Sequence, residues 1–272
     1  DKGVRIEKEA AEAARQREQE EEQKALKISN ARKAEEARKR EQKISSERSR
    51  IKRETLALEE TAEHGSVIAQ YDLGIMYVIG EDVQKNDELA FKWFRKAATQ
   101  GHGRAQYMLA SMYSYGEGVQ QNQELAFEWT RKAAEQGLAD AQYGLGFNYR
   151  NEVGIQKSLT LAHKWFRKAV EQGNAHAQTA LGDMYNSGEG VQQNQELAFE
   201  WYRKAAEQGD SYGQFRLGYI YDYGEGVQQN YELAFEWTRK AAEQGFHFAE
   251  YRLGNMYRYG VGVRKNHGHA HE

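Results

Sequence analysis

GEGVQQNQELAFEWTRKAAEQG occupies residues 116–137, and nearly the same string returns at 188–209 and again at 224–245. The glycines that close these strings belong to a longer series, Gly65, Gly101, Gly137, Gly173, Gly209 and Gly245, spaced 36 residues apart. A fixed period of this length is the mark of a stacked-repeat architecture. Five full repeats run over 65–244, and a partial sixth covers 245–262.

Within repeat two, Ala105, Leu109, Met112 and Tyr113 fall at helical spacing and form one apolar stripe. Gly116 is placed to end that helix in the left-handed conformation. Asn122 then caps a second helix, with Glu124 in its first turn. Leu125, Ala126, Trp129, Ala133 and Ala134 form the second stripe. Ala105, Ala126 and Ala133 allow close helix approach, and Trp129 and Tyr113 fill the space between. So short a pair cannot bury its own stripe, so the repeats must stack. Repeat three departs from the pattern. Glu152 replaces the turn glycine and Ser158 replaces the capping asparagine, which predicts a distorted turn there.

Outside the repeats the chain changes character. Residues 1–55 hold almost no large apolar side chains and are rich in Ala, Glu, Lys, Arg and Gln, all good helix formers. Pairs such as Glu35–Lys39 add i,i+4 support. A long charged helix or tether is expected over 1–55, a degenerate helical turn over 56–64, and a His-containing tail over 263–272. Ile44, Ile51 and Leu58 recur every seven residues, but no second apolar column completes a coiled-coil seam. Association through this helix is the one oligomeric route the sequence offers, and the solenoid itself is expected to be monomeric. Residues 27–53 carry 11 basic and 4 acidic side chains, with the acids interrupting the run as on a solvated face.

Composition removes several classes of function. Lys and Arg number 38 against 41 for Asp and Glu, so no global charge draws nucleic acid. There is no cysteine, hence no disulfide and no thiolate metal site. Mean hydropathy is −0.94, and no apolar run is long enough to span a bilayer. The eight His residues show no ligand spacing, and His267, His269 and His271 read as tail. Gly-Glu-Gly-Val lacks the Lys-Ser/Thr of a phosphate loop. No nucleophile–base constellation stands out, so neither catalysis nor a cofactor or metal is expected.

The strings Ala69 to Tyr77, Gly80 to Val83 and Ala90 to Gly101 resemble the SEL1-like repeat family, and the resemblance extends over 65–262. It implies an all-α fold, a right-handed α/α superhelical solenoid with a concave surface lined by the first helix of each repeat. Bacterial members are adaptors, and some are periplasmic immunity proteins that block secreted phospholipase effectors of type VI secretion. The resemblance therefore implies a protein partner, a secreted phospholipase-type toxin or the client of an adaptor, no nucleic acid, and a periplasmic setting in preference to the cytoplasm. Other relatives are tied to β-lactam binding, but they are cysteine-rich, unlike this chain.

Copies within one chain separate packing from specificity. The freely changing positions of the first helix lie 3, 7, 10 and 14 residues after the leading glycine, a single helical face. The expected partner-binding residues follow from it. They are Ile75 and Ile79 in repeat one, then Arg104, Met108 and Tyr115 in repeat two. Repeats three and four contribute Phe147 and Asp183. Repeat five gives Tyr212, Arg216, Tyr219 and Tyr223, and repeat six gives Phe248, Arg252 and Tyr259. Ile68, Asp72, Gly144 and Ala180 lie on the same stripe. Tyr and Phe beside Arg are the chemistry of binding hot spots.

Overall fold

The computed structural model describes residues 2–80, 83–265 and 268. The chain divides into two compact units, Asp1–His64 and Gly65–Glu272. The first is one helix, α1 (Lys2–Glu63), which runs through residues 55 and 56 without a break. Its Glu35 and Lys39 carboxylate and ammonium lie 2.7 Å apart, and Arg50 bridges Glu47 and Glu54. Ile44 is exposed.

The second unit is an α/α solenoid. First helices are α2 (Val67–Ile79), α4 (Gly103–Tyr115), α6 (Ala139–Asn151), α8 (Ala175–Ser187), α10 (Ser211–Tyr223) and α12 (His247–Tyr259). Second helices are α3 (Asp87–Thr99), α5 (Gln123–Glu135), α7 (Leu159–Glu171), α9 (Gln195–Glu207) and α11 (Tyr231–Glu243). Within this unit, from α2 to α12, consecutive helices pack on one another. The expected cap forms: Asn122 Oδ1 accepts the Leu125 N–H at 2.9 Å, and Gly116 ends α4 at φ 76°.

Burial differs from the expected second stripe at three positions. Leu125 is 39% exposed, whereas Phe127 and Thr130 are buried beside Ala126, Ala133 and Ala134. The buried face of α5 is thus turned toward Phe127. On the outer side a lysine stacks on a tryptophan three residues earlier in every second helix. Lys96 lies over Trp93, Lys132 over Trp129, Lys168 over Trp165, Lys204 over Trp201 and Lys240 over Trp237, at 4.0–4.4 Å.

Two contacts recur at each joint. A buried glutamine of the first helix accepts a hydrogen bond from the glutamine that caps the second. The pairs are Gln100 to Gln70, Gln136 to Gln106, Gln172 to Gln142, Gln208 to Gln178 and Gln244 to Gln214, at 2.7–2.9 Å. Gln106, Gln142 and Gln214 also donate to the carbonyls of Ala98, Ala134 and Ala206 in the preceding second helix. The other contact is steric. Gly74, Gly146 and Gly182 face the rings of Phe94, Phe166 and Tyr202, where an added Cβ would stand 2.4, 2.6 and 2.7 Å away. In repeat two the ring becomes Thr130 and the glycine becomes Ala110, both buried.

The turn of repeat three is not distorted, contrary to the sequence expectation. Glu152 takes the left-handed conformation itself, φ 61° and ψ 36°, and its N–H reaches the Asn148 carbonyl. Gly154 keeps φ at 70° and sits so close to Gln123 that a Cβ would lie 2.3 Å from its carbonyl oxygen. Ser158 still caps α7, at 3.4 Å from the Leu161 nitrogen. Neighbour packing therefore overrides the local preference of Glu152, at a cost of about 1–2 kcal/mol for a side chain held at positive φ. Glu152→Gly is expected to stabilise the solenoid by about 1 kcal/mol, and Gly74→Ala to destabilise it by about 1–3 kcal/mol. Urea denaturation followed by circular dichroism measures both.

Candidate functional site

The first helices bring the variable stripe together on one side of consecutive repeats, and adjacent repeats touch beside it, where the cap of one first helix meets the first helix before it. Tyr71 and His102 rings lie 4.6 Å apart, Asn174 donates to Asp140 at 2.8 Å, and His176 meets Asp210 at 2.9 Å. The stripe has open edges and a recessed middle. At its edges Ile68, Ile79, Arg104, Tyr115, Tyr223, Phe248 and Tyr259 are exposed. Along the middle Ile75, Met108, Asp183, Arg216, Tyr219 and Arg252 are half-buried, as is Tyr212. Ile75 and Met108 pack against the cluster around Phe94 and Leu109. Phe147 is 46% exposed, and Ala180 is buried at 8%. The recess arises because middle positions look toward the joint between repeats, where second-helix side chains rise to meet them.

In repeats three to six those positions form a polar and aromatic network. Asp183 Oδ1 accepts from the Tyr202 hydroxyl at 2.7 Å and from the Tyr212 hydroxyl at 2.9 Å. Arg150 lies 3.8 Å from the other Asp183 oxygen and 3.0 Å from Glu189, which Lys157 also bridges at 3.2 Å. The Arg216 guanidinium stands 4.8 Å from the Tyr202 ring centre and 5.8 Å from that of Tyr219. Arg252 stands 5.0 and 5.2 Å from Tyr219 and Tyr223, and also pairs with Asp222. The Tyr219 and Tyr223 rings are 4.4 Å apart. The Nε atoms of both arginines are buried without a hydrogen-bond partner, so ring faces take the place of an acceptor. Each such stack contributes about 0.5–2 kcal/mol.

Electrostatics follow from this packing. Burial, then the Asp183 charge, pushes the Tyr212 phenol up to about 12, and the same causes raise Tyr202 further. Both phenols stay neutral donors at physiological pH. Burial would raise the Glu189 carboxyl, but hydrogen bonds from Lys157 and Arg150 outweigh it and hold it below the usual range. The network's carboxylates are thus occupied by the chain's own cations and phenols.

Sequence reading did not find Tyr202, Arg150, Glu189 or Asp222 as members. Tyr202 was detectable as a hydroxyl where Phe94 and Phe166 stand in sister repeats. The other three look like solvated charges until the neighbouring repeat is in place. His163 replaces a second-helix Phe and keeps its role, with its ring edge-on to Tyr185 at 6.0 Å. Its imidazole is pushed down by burial and then by Arg167. Among the described residues no group of three His, Asp or Glu is placed to hold a metal ion. His267, His269 and His271 lie outside the described residues. No helix among the described residues is long and apolar enough to cross a membrane.

A solenoid of 36-residue helix pairs, fixed in its packing and variable along one ridge, defines a class of repeat scaffold for protein interaction. The Sel1 repeat description matches residues 67–102, 103–138, 139–174, 175–210, 211–246 and 247–272. The chain belongs to the Sel1 repeat family. It is similar to c5321 of uropathogenic Escherichia coli, a protective antigen with the same repeat fold. Identity is 39% and the TM-score 0.72, over 79% of this chain and 46% of that one, so the chain spans about half that protein's length. A Sel1 repeat protein from Oxalobacter formigenes shares 34% identity at a TM-score of 0.73, over 76% and 83% of the two chains. The immunity protein PA5088 of Pseudomonas aeruginosa shares the fold at 23% identity and a TM-score of 0.50, over 70% of each chain. No curated protein matches. Proteins of this family are generally non-catalytic binding scaffolds.

One edge of the ridge carries a pH-dependent cap. His102 Nδ1 accepts the Ala105 N–H at 3.2 Å, which requires the neutral ring. Burial, then Arg104, lowers the His102 pKa from its ordinary 6.5. A lowered folded-state pKa means that the contribution is complete above pH 6.5 and is lost as pH falls through the folded value. His102→Asn installs the cap that Asn174 already provides at the corresponding position, with Asn174 Oδ1 2.8 Å from the Ala177 nitrogen. That variant is expected to flatten the fall in stability as pH drops below 6.5, measured by urea unfolding across pH.

Proposed function

We propose that the chain is a non-catalytic protein-binding scaffold whose partner docks on the first-helix ridge, centred on repeats five and six. One observation carries this reading. Exposed rings stand beside immobilised arginines. Tyr223, Phe248 and Tyr259 are 58%, 69% and 64% exposed, and Arg216 and Arg252 are held against Tyr202, Tyr219 and Tyr223. Aromatic and arginine side chains dominate binding hot spots. An arginine already fixed by stacking loses little further freedom when a partner arrives. Ile68 and Ile79, 69% and 61% exposed, offer apolar contact at the other end of the ridge.

The narrower form of the reading is an immunity protein that neutralises a secreted bacterial effector, of phospholipase type, in the periplasm. It uses the same ridge. An inhibitor needs a rigid surface that covers its target, and the arginine–tyrosine stacks supply that rigidity.

Pull-down with the products of neighbouring genes supplies the partner. Tyr223→Ala, Phe248→Ala, Arg216→Ala and Tyr219→Ala are each expected to weaken binding by about 2 kcal/mol, roughly thirtyfold. Glu200→Ala, on an exposed position of α9, is expected to leave it unchanged. Titration calorimetry decides, and four unaltered affinities would place the partner elsewhere.

A further inference from the structure

We infer that the recess between the first helices of repeats two and three receives a single uncharged aromatic side chain of the docking partner, with tyrosine the best fit. The inference rests on the protein-docking reading above and names one anchor of that interaction.

Two positions set how full the solenoid is at each joint. One lies 29 residues after a repeat's leading glycine, and the other lies 7 residues after the next leading glycine. The pairs are Phe94 with Met108, Phe166 with Ala180, Tyr202 with Arg216 and Thr238 with Arg252. Each contains a ring or a long side chain. Thr130 and Gly144 contain neither. The joint is left with a cavity of about 320 Å³, bordered by Tyr107, Ser111, Thr130, Tyr143, Gly144 and Phe147. That volume is at the small end of ligand-sized sites.

Repeat four shows what fits. There the chain fills the equivalent space with its own Tyr202 ring, whose hydroxyl donates to Asp183 at 2.7 Å. Ser111 stands at the position of Asp183 and borders the recess, so an entering phenol meets a hydroxyl acceptor where Tyr202 meets a carboxylate. Tyr107, Tyr143 and Phe147 offer ring edges and faces to a guest ring. None of the residues around the recess carries a formal charge at neutral pH, and burial keeps the Tyr107 and Tyr143 phenols protonated. A cationic or anionic guest would be desolvated without a counter-charge. Tyr115, 75% exposed, flanks the opening and gives the partner's backbone a surface beside it.

The test uses p-cresol, the tyrosine side chain as a free molecule, titrated into the full chain with amide shifts as readout. Saturable shifts confined to Tyr107, Ser111, Thr130, Gly144 and their neighbours are expected. The double substitution Ala110→Gly, Thr130→Tyr transplants the Gly182/Tyr202 pair of repeat four and is expected to abolish them. Gly144→Ala places a Cβ at ordinary contact distance, 3.5 Å from Thr130 Cγ2 and 3.8 Å from Tyr107 Cε2, so α6 is not strained. It is expected to weaken p-cresol about tenfold while the melting temperature holds or rises. No saturable shift at these amides, or undiminished affinity in Gly144→Ala, overturns the inference. The probe needs no partner. Failure here leaves the calorimetric result at Tyr223 and Phe248 untouched, and failure there leaves this one.

Discussion

A buried side-chain amide at each joint sets the register of the solenoid. Gln106 accepts from Gln136, the cap of its own second helix, and donates to the Ala98 carbonyl of the preceding one. Three elements thus share one amide in an apolar interior. Slipping the first helix along its neighbours would leave that amide unpaired, at about 1–3 kcal/mol per group. Gln142 and Gln214 repeat both contacts. The first helices of repeats two, three and five are thereby held in the same rotation, and with it the same outward face. Hydrophobic burial alone is non-directional and would not select that rotation.

On this frame the joint tolerates exchange of volume between partners. A ring at Phe94, Phe166 or Tyr202 needs glycine opposite, and Thr130 accepts alanine. Interiors are packed densely enough that such changes must be compensated locally. The exchange decides what reaches the ridge. Tyr202 carries a hydroxyl to Asp183 and a ring face to Arg216, whereas Thr130 carries neither and leaves space. Between repeats two and four, one buried core position thus separates a recess above Thr130 from a fixed cation above Tyr202.

The period, the helix pairs, the glycine stops and the asparagine caps were legible in the sequence because each depends on neighbours within a few residues. The glutamine contacts were not, since a polar residue inside an apolar stripe reads as solvated until its partner 30 residues away is known. Their constancy from copy to copy, at Gln70, Gln106, Gln142, Gln178 and Gln214, was the available signal. The turn at Glu152 misled for the opposite reason. Local preference pointed one way, and the close approach of Gly154 to Gln123 pointed the other. On the ridge, periodicity found the face but not its relief. That Ala180 sinks to 8% exposure while Phe248 stays at 69% depends on what the adjacent repeat inserts beneath each.

The outer wall sharpens the meaning of variation on the ridge. Second helices are nearly identical, and their Trp–Lys pairs recur in every full repeat. Trp129 also packs against the cluster of Phe94 and Leu109, and Trp201 against that of Phe166 and Leu181. The wall is constant because it is part of the core. The ridge is released from that duty, so its residues are free to change, and drift would fill it with mobile, hydrated side chains. Repeats five and six instead hold arginines clamped between tyrosines, with Arg252 also paired to Asp222. Clamping of that kind reduces the entropy lost on docking, and it leaves ring surface, not charge, facing outward.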